Sequence, residues 1–293
     1  MKNIRTRYLL IVIFISLIVS IISGIATYNQ LRNLLNNNDK NYANPTFDED
    51  KKYAHNINYL NAVSSYNSKK IKLAIDELTE ELNKYPEHAQ AYFLLGKIYE
   101  QTNFKAGKYY SKMITNYEKY IQLKPKGKRV NYAKLRIAQH YVQIGLMQQN
   151  VELLNKAEAY LLSLDKSDSA VGMALGAIYL NEKKYDNAIA VFEKSINLNI
   201  VDLKIKYNSL GLAYIKKGSY AKAQTVLEIA VKIEPNDKYA HNNLGFVYVQ
   251  QGDLSKAKTH FSKAVTLDPS YKNAIDNLKW TESRIRYDSK AVH

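Results

Sequence analysis

Six histidines are the residues of this 293-residue chain best suited to move a proton or hold a metal near neutral pH: His55, His88, His140, His241, His260 and His293. None stands in an HExxH pattern, and none has companions at a spacing that would supply three or four convergent ligands. Cysteine is absent, which removes disulfides, thiolate metal ligands and a cysteine nucleophile. Neither GxxxxGK[ST] nor GxGxxG occurs; Lys124-Pro125-Lys126-Gly127-Lys128-Arg129 is basic but lacks the phosphate-cradling spacing. The acidic pair Glu80-Glu81 reads as a solvated helix face. With no nucleophile beside a base, the expectation is a non-enzyme without cofactor or metal.

Binding is what remains, and charge marks one surface for it. The net charge is +15, and residues 101–150 hold ten bases against the single acid Glu118. These bases are Lys105, Lys108, Lys112, Lys119, Lys124, Lys126, Lys128, Arg129, Lys134 and Arg136, with Tyr109, Tyr110, Tyr117, Tyr120 and Tyr132 interleaved. Such a cluster attracts acidic protein segments, anionic lipid headgroups or envelope polymers. A lysine-rich solvated face would read the same way.

The elements that must carry these residues show themselves as a repeat. Leu244-Gly245, Tyr248, Gly252, Ala257, Phe261, Ala264 and Pro269 recur 34 residues earlier as Leu210-Gly211, Tyr214, Gly218, Ala223, Leu227, Ala230 and Pro235. A further 35 residues back, Leu175-Gly176, Tyr179, Ala188, Phe192 and Ser195 fall on the same offsets. Weaker units precede them. One begins near His55 with Ala62, Ala74, Leu78 and Pro86, and the next has Leu95-Gly96, Tyr99 and Pro125. The third has Ile137-Ala138, Tyr141, Ala157 and Leu161, with Gly145 on the offset of Gly218 and an insertion around Met147–Leu153. Low glycine and proline counts, 11 and 5, agree with helices joined by short turns. His241 and His260 fall on the two helices of one unit, where they could approach each other.

On these residues the body resembles the tetratricopeptide repeat family. The resemblance implies an all-α helix–turn–helix solenoid of about six repeats over residues 55–271, with a solvating C-terminal helix and tail in 272–293. It also implies a concave groove lined by the first helix of each unit, reached here by Met173, Leu180, Ile205, Asn208, Leu212, Ile215, Tyr239, Asn242, Phe246 and Val249. That is an apolar floor with two asparagines, suited to a helical or extended peptide of a protein partner; ordinary packing between helices, or the C-terminal helix folded back, would use such residues too. The carboxylate clamp of chaperone-tail receptors is not matched, since Arg136 and Asn243 are isolated. Self-association is compatible with such a groove. Many of the 25 tyrosines are assigned to packing, because Tyr99, Tyr141, Tyr179, Tyr214 and Tyr248 share one offset.

Ahead of the repeats, Tyr8–Ala26 is a 19-residue stretch without charge, preceded by Lys2, Arg5 and Arg7. Residues 1–7 are expected as a cytoplasmic basic N-terminus, 8–28 as a transmembrane signal-anchor and 29–54 as a polar spacer. A cleaved signal peptide is the competing reading, with Gly24-Ile25-Ala26 as its site, although the apolar run exceeds the usual ~7–15 residues. Either way the repeats are exported, so nucleic acid is not an expected partner. The expectation is a single-pass bacterial inner-membrane protein whose repeats scaffold other proteins on the extracytoplasmic face, in envelope, pilus or secretion assembly. A polyanion-binding protein using the basic cluster, and an organelle receptor with cytosol-facing repeats, are the alternatives.

Overall fold

The computed structural model describes residues 56–101, 108–165, 168–198 and 203–291. The anticipated membrane segment and spacer lie outside them, and among the described residues no helix is long and apolar enough to cross a membrane. The described residues form thirteen helices and fall into two units, each with three helix pairs. The N-terminal unit (56–145 and 150–164) holds α1 (Ile57–Asn67), α2 (Ile71–Lys84), α3 (Ala89–Gln101), α4 (Lys108–Leu123), most of α5 (Val130–Gln148) and α6 (Val151–Leu162). The C-terminal unit, from residue 165, holds α7 (Ser169–Asn181), α8 (Tyr185–Leu198), α9 (Leu203–Lys217), α10 (Tyr220–Ile233), α11 (Lys238–Gln250), α12 (Leu254–Leu267) and α13 (Lys272–Ala291).

The boundaries follow from local chemistry. Asn150, Asp168, Asp237 and Asp253 cap α6, α7, α11 and α12, their side-chain oxygens accepting from first-turn amides at 2.8–3.3 Å. Pro86, Pro125, Pro235 and Pro269 each stand two residues beyond a second helix, since proline cannot continue the ladder. The turns within pairs require a left-handed residue: Gly218 (φ 80°) and Gly252 (φ 83°) serve in two, Lys69 (φ 59°) and Lys183 (φ 61°) on the same offset in two others.

In the third pair that offset belongs to Gly145, and the structure departs from expectation. The helix runs on to Gln148, and Gln149 (φ 52°) makes the turn four residues later. The insertion is therefore about one extra helical turn rather than a loop, which restores the facing of the next helix. Gly145 serves close approach instead: a Cβ there would lie 2.7 Å from Leu154 Cδ2.

Each pair is closed by a small residue against a large one. Gly96 faces Tyr117, Gly176 faces Phe192, Gly211 faces Leu227 and Gly245 faces Phe261. Ala74, Ala157, Ala188, Ala223 and Ala257 are wholly buried on the second helices, and Met113 takes that place on α4.

Between pairs of the C-terminal unit, a tyrosine on each first helix donates to a glutamate on the preceding second helix: Tyr214 to Glu193 at 2.6 Å and Tyr248 to Glu228 at 3.2 Å. Lys222 and Lys256 lie over the same rings at 5.7 and 5.3 Å. The shared tyrosine offset is thus a seam between repeats, with ring packing and a polar tip used together.

Helix α13 repeats the register of a first helix. Ala274, Asn277 and Leu278 stand 34 residues after Ala240, Asn243 and Leu244, and Ala274 is wholly buried. Where α3, α7, α9 and α11 carry glycine, α13 carries exposed Lys279.

Candidate partner-binding surfaces

In the C-terminal unit, the groove residues anticipated from sequence fall on three first helices: Met173 and Leu180 on α7, Ile205, Asn208, Leu212 and Ile215 on α9, and Tyr239, Asn242, Phe246 and Val249 on α11. Met173, Ile205, Asn208, Ile215 and Asn242 are buried; Leu180, Leu212, Tyr239, Phe246 and Val249 keep partial exposure. The two asparagines are engaged along the array. Asn208 Oδ1 accepts from Asn243 Nδ2 at 2.9 Å, and Asn242 Oδ1 accepts from Asn277 Nδ2 at 3.0 Å. Each bond joins one first helix to the next, so the amides align the floor as well as lining it. At its end, Tyr239 meets Tyr271 edge-on at 5.4 Å, with Lys238 Nζ over both rings.

The same offsets in the N-terminal unit carry different chemistry, which the sequence reading missed. Gln90, Phe93, Lys97 and Glu100 stand there on α3, with Tyr132 and Gln139 on α5, and all six are buried. Glu100 is the hub: it accepts from Tyr117 Oη at 2.6 Å and from Tyr132 Oη at 3.3 Å, and it pairs with Arg136. Arg136 also donates to Gln139 at 3.2 Å. Arg129 covers Phe93 at 5.0 Å, and Phe93 touches Tyr117, Tyr120 and Tyr132 at 5.1–5.7 Å. Burial, then the Glu100 charge, push the Tyr117 phenol well above its usual range. Burial opposes the Arg136 charge, but Glu100 with Tyr132 and Tyr117 more than offsets it and holds the guanidinium protonated. The available signal was Glu100 three residues after Lys97 on a first helix, at offsets that are apolar in the later units.

This hub divides the basic cluster. Arg129 and Arg136, grouped with the surface lysines by sequence, are each only 8% exposed and belong to the packed interior. Lys112, Lys126 and Lys128 are exposed, and Lys119, Lys124 and Lys134 partly so. Lys119 reaches Gln122 at 3.1 Å and Lys134 reaches Ser163 at 3.3 Å. Lys108 opens α4, and Lys105 lies outside the described residues. An open cleft of about 610 Å³ on this unit is lined by Tyr92, Thr115, Glu118, Lys119, Gln122 and Tyr160, where Tyr160 Oη donates to Glu118 at 3.2 Å.

Among the described histidines, His88 bonds Glu81 at 2.7 Å, and burial, with Arg136 behind it, holds His140 down to about 3. His241 and His260 do meet, their Nδ1 atoms 3.0 Å apart. Among the described residues no group of three or more His, Asp and Glu side chains is placed to hold a metal.

Family models described as TPR repeat and tetratricopeptide repeat match residues 211–252, 239–271 and 173–199. These matches all fall in the C-terminal unit, on its three helix pairs. No curated protein matches the chain. Among solved structures, the chain is similar to one in the crystal structure of the APC/C hetero-tetramer Cut9–Hcn1, with a TM-score of 0.56 and 19% identity. That match covers 88% of this chain and 46% of the other, so the chain spans less than half of that neighbour's length. It is also similar to YrrB, described as a TPR protein with an unusual peptide-binding site (TM-score 0.49, 16% identity, 69% of this chain and 97% of that one). A third neighbour is the MamA protein (TM-score 0.48, 23% identity, 62% and 92%). At these identities the likeness is one of fold: an all-helical repeat solenoid.

Proposed function

We propose that this chain is a non-catalytic, membrane-tethered scaffold that captures a helical or extended peptide segment of a protein partner along α7, α9 and α11. The repeats themselves support a protein-interaction role. One observation carries the groove: three successive first helices keep partly exposed apolar side chains at shared offsets, Leu180 on α7, Leu212 on α9, and Phe246 and Val249 on α11. Apolar floors of this kind hold the buried face of an amphipathic segment. The uncharged stretch Tyr8–Ala26 with its basic flank supports a tether that leaves the repeats on the extracytoplasmic face of a bacterial inner membrane. Assembly of an envelope, pilus or secretion complex is the setting proposed for it, with the tether raising effective concentration along the membrane plane.

Photo-crosslinkers placed at Leu212 and Phe246 in intact cells test the groove. The expected result is a discrete crosslinked partner whose yield survives washing at about 0.5 M salt, where exposed charge pairs are screened. Loss of the partner with salt, together with crosslinking at Lys126, moves the function to the lysine surface and to anionic lipid or polymer. Protease accessibility of residues 40–60 in sealed inverted vesicles tests the topology. Cleavage before lysis would instead place the repeats in the cytosol, as in an organelle receptor.

A further inference from the structure

The last helix pair is joined by two imidazoles that nothing above employs. His241 on α11 places Nδ1 3.0 Å from His260 Nδ1 on α12, and its Nε2 lies 3.0 Å from the Pro235 carbonyl oxygen. A carbonyl only accepts, so His241 carries its hydrogen on Nε2 and presents a bare Nδ1. His260 must then donate from its own Nδ1. One proton serves the contact, and Tyr248 stacks on His260 at 5.4 Å with the ring planes 25° apart. A proton added to His260 goes to its Nε2 and leaves this contact in place, but one added to His241 Nδ1 would set two N–H groups against each other at 3.0 Å, and one ring would have to turn away.

The surrounding charges do not relieve this. Asp237 on α11 favours a charged His241 and Glu228 on α10 a charged His260, while Lys263 on α12 opposes charge on His241 and Lys256 sits over the Tyr248 ring. Burial is the largest influence on both imidazoles.

We propose that His241 and His260 form an acid-released latch: with His241 neutral the pair bolts α11 to α12, and a proton on His241 Nδ1 opens the last repeat. Because α11 also carries Tyr239, Asn242, Phe246 and Val249, acidification would loosen that end of the groove and release its occupant. This last step rests on the groove reading; the latch does not. Burial, then the neighbouring imidazole, hold His260 down to about 4, and burial holds His241 below its usual value. A depressed histidine favours the folded state above its unfolded pKa of ~6.5, and the contribution is lost as pH falls from there toward the folded value.

The full chain is compared with His260→Gln, whose amide N–H donates to a neutral His241 Nδ1 and whose carbonyl oxygen, with the amide turned over, accepts from a protonated one, so that the contact survives acid. Trp280, the sole tryptophan, lies on α13, which packs against α12, and reports local melting. Between pH 7.5 and 4.5 the wild-type Trp280 transition is expected to fall by on the order of 5 °C. The variant should lose at least half of that fall. Amide hydrogen exchange in wild type should accelerate in α11 and α12 well before α7 and α8. Equal pH dependence in both proteins, or uniform acceleration across the unit, overturns the latch. If α11 and α12 loosen with acid while crosslinking at Phe246 captures no partner at any pH, the groove reading fails and the latch stands.

Discussion

Gly211→Ala puts the close packing of helix pairs to a quantitative test. A Cβ built on Gly211 lies 2.5 Å from Leu227 Cγ and 2.6 Å from its Cδ2. Carbon atoms attract best at about 3.5–4.0 Å, so α9 and α10 must part by roughly 1 Å or Leu227 must leave its rotamer. Leu227 is wholly buried, so it has no empty space to move into. Overpacking of this kind costs about 1–3 kcal/mol, against about 1 kcal/mol gained from alanine's better helix propensity. The expected net loss is about 0–2 kcal/mol, read from urea unfolding at an unchanged m-value. Leu227→Ala alone should cost about 2–5 kcal/mol, because it opens a cavity. On that background the obstacle is gone, and Gly211→Ala should become neutral or stabilising by up to about 1 kcal/mol. The sign change is the decisive outcome. If Gly211→Ala costs the same in both backgrounds, the glycine is not there to admit Leu227 and the argument is wrong.

The buried hub makes a second prediction: Arg136→Leu strands the Glu100 carboxylate and should cost about 3–5 kcal/mol, whereas Lys126→Gln stays within about 0.5 kcal/mol, both by urea unfolding. Tyr248→Phe removes only a partly exposed hydroxyl–carboxylate bond and should cost about 0.5–1.5 kcal/mol in the same assay. His140, held neutral by burial down to about 3, favours folding above its unfolded pKa, and that contribution is lost as pH falls from about 6.5 toward 3. His140→Phe should therefore flatten the acid limb of the N-terminal unit's melting profile without altering the Trp280 transition; an unchanged limb would mean that burial at this site has been misjudged.

The C-terminal unit was legible in the sequence because its repeats keep the small residue and its large opponent at fixed offsets, and its last two keep the turn glycine and the closing proline as well. Gly211 with Leu227 and Gly245 with Phe261 are found by counting alone. Gly145 was misread for the same reason: counting assigns a residue to its offset, whereas the chain answers to helical phase. One added turn carried the left-handed residue on to Gln149 and left Gly145 facing Leu154. Arg129 and Arg136 were misplaced because charge density along a chain does not say which way a helix turns its side chains. Only the meeting of α3, α4 and α5 shows Arg136 directed at Glu100. The tyrosines were assigned to packing correctly as rings, but their hydroxyl partners, Glu193 and Glu228, stand on the preceding unit and carry no mark of their own.

Lys279 stands where a following helix would have to pack on α13. A further second helix laid on α13 would have to approach the backbone where earlier units offer glycine, and would there bury an ammonium with no counter-charge prepared for it. The register is kept through this change of residue type, since α13 still docks through Ala274, Asn277 and Leu278. A second helix grafted after residue 291 would meet Lys279 at that position. With Lys279→Gly, the terminal helix becomes a ready first helix for an added unit, so the length of this scaffold is a designable quantity.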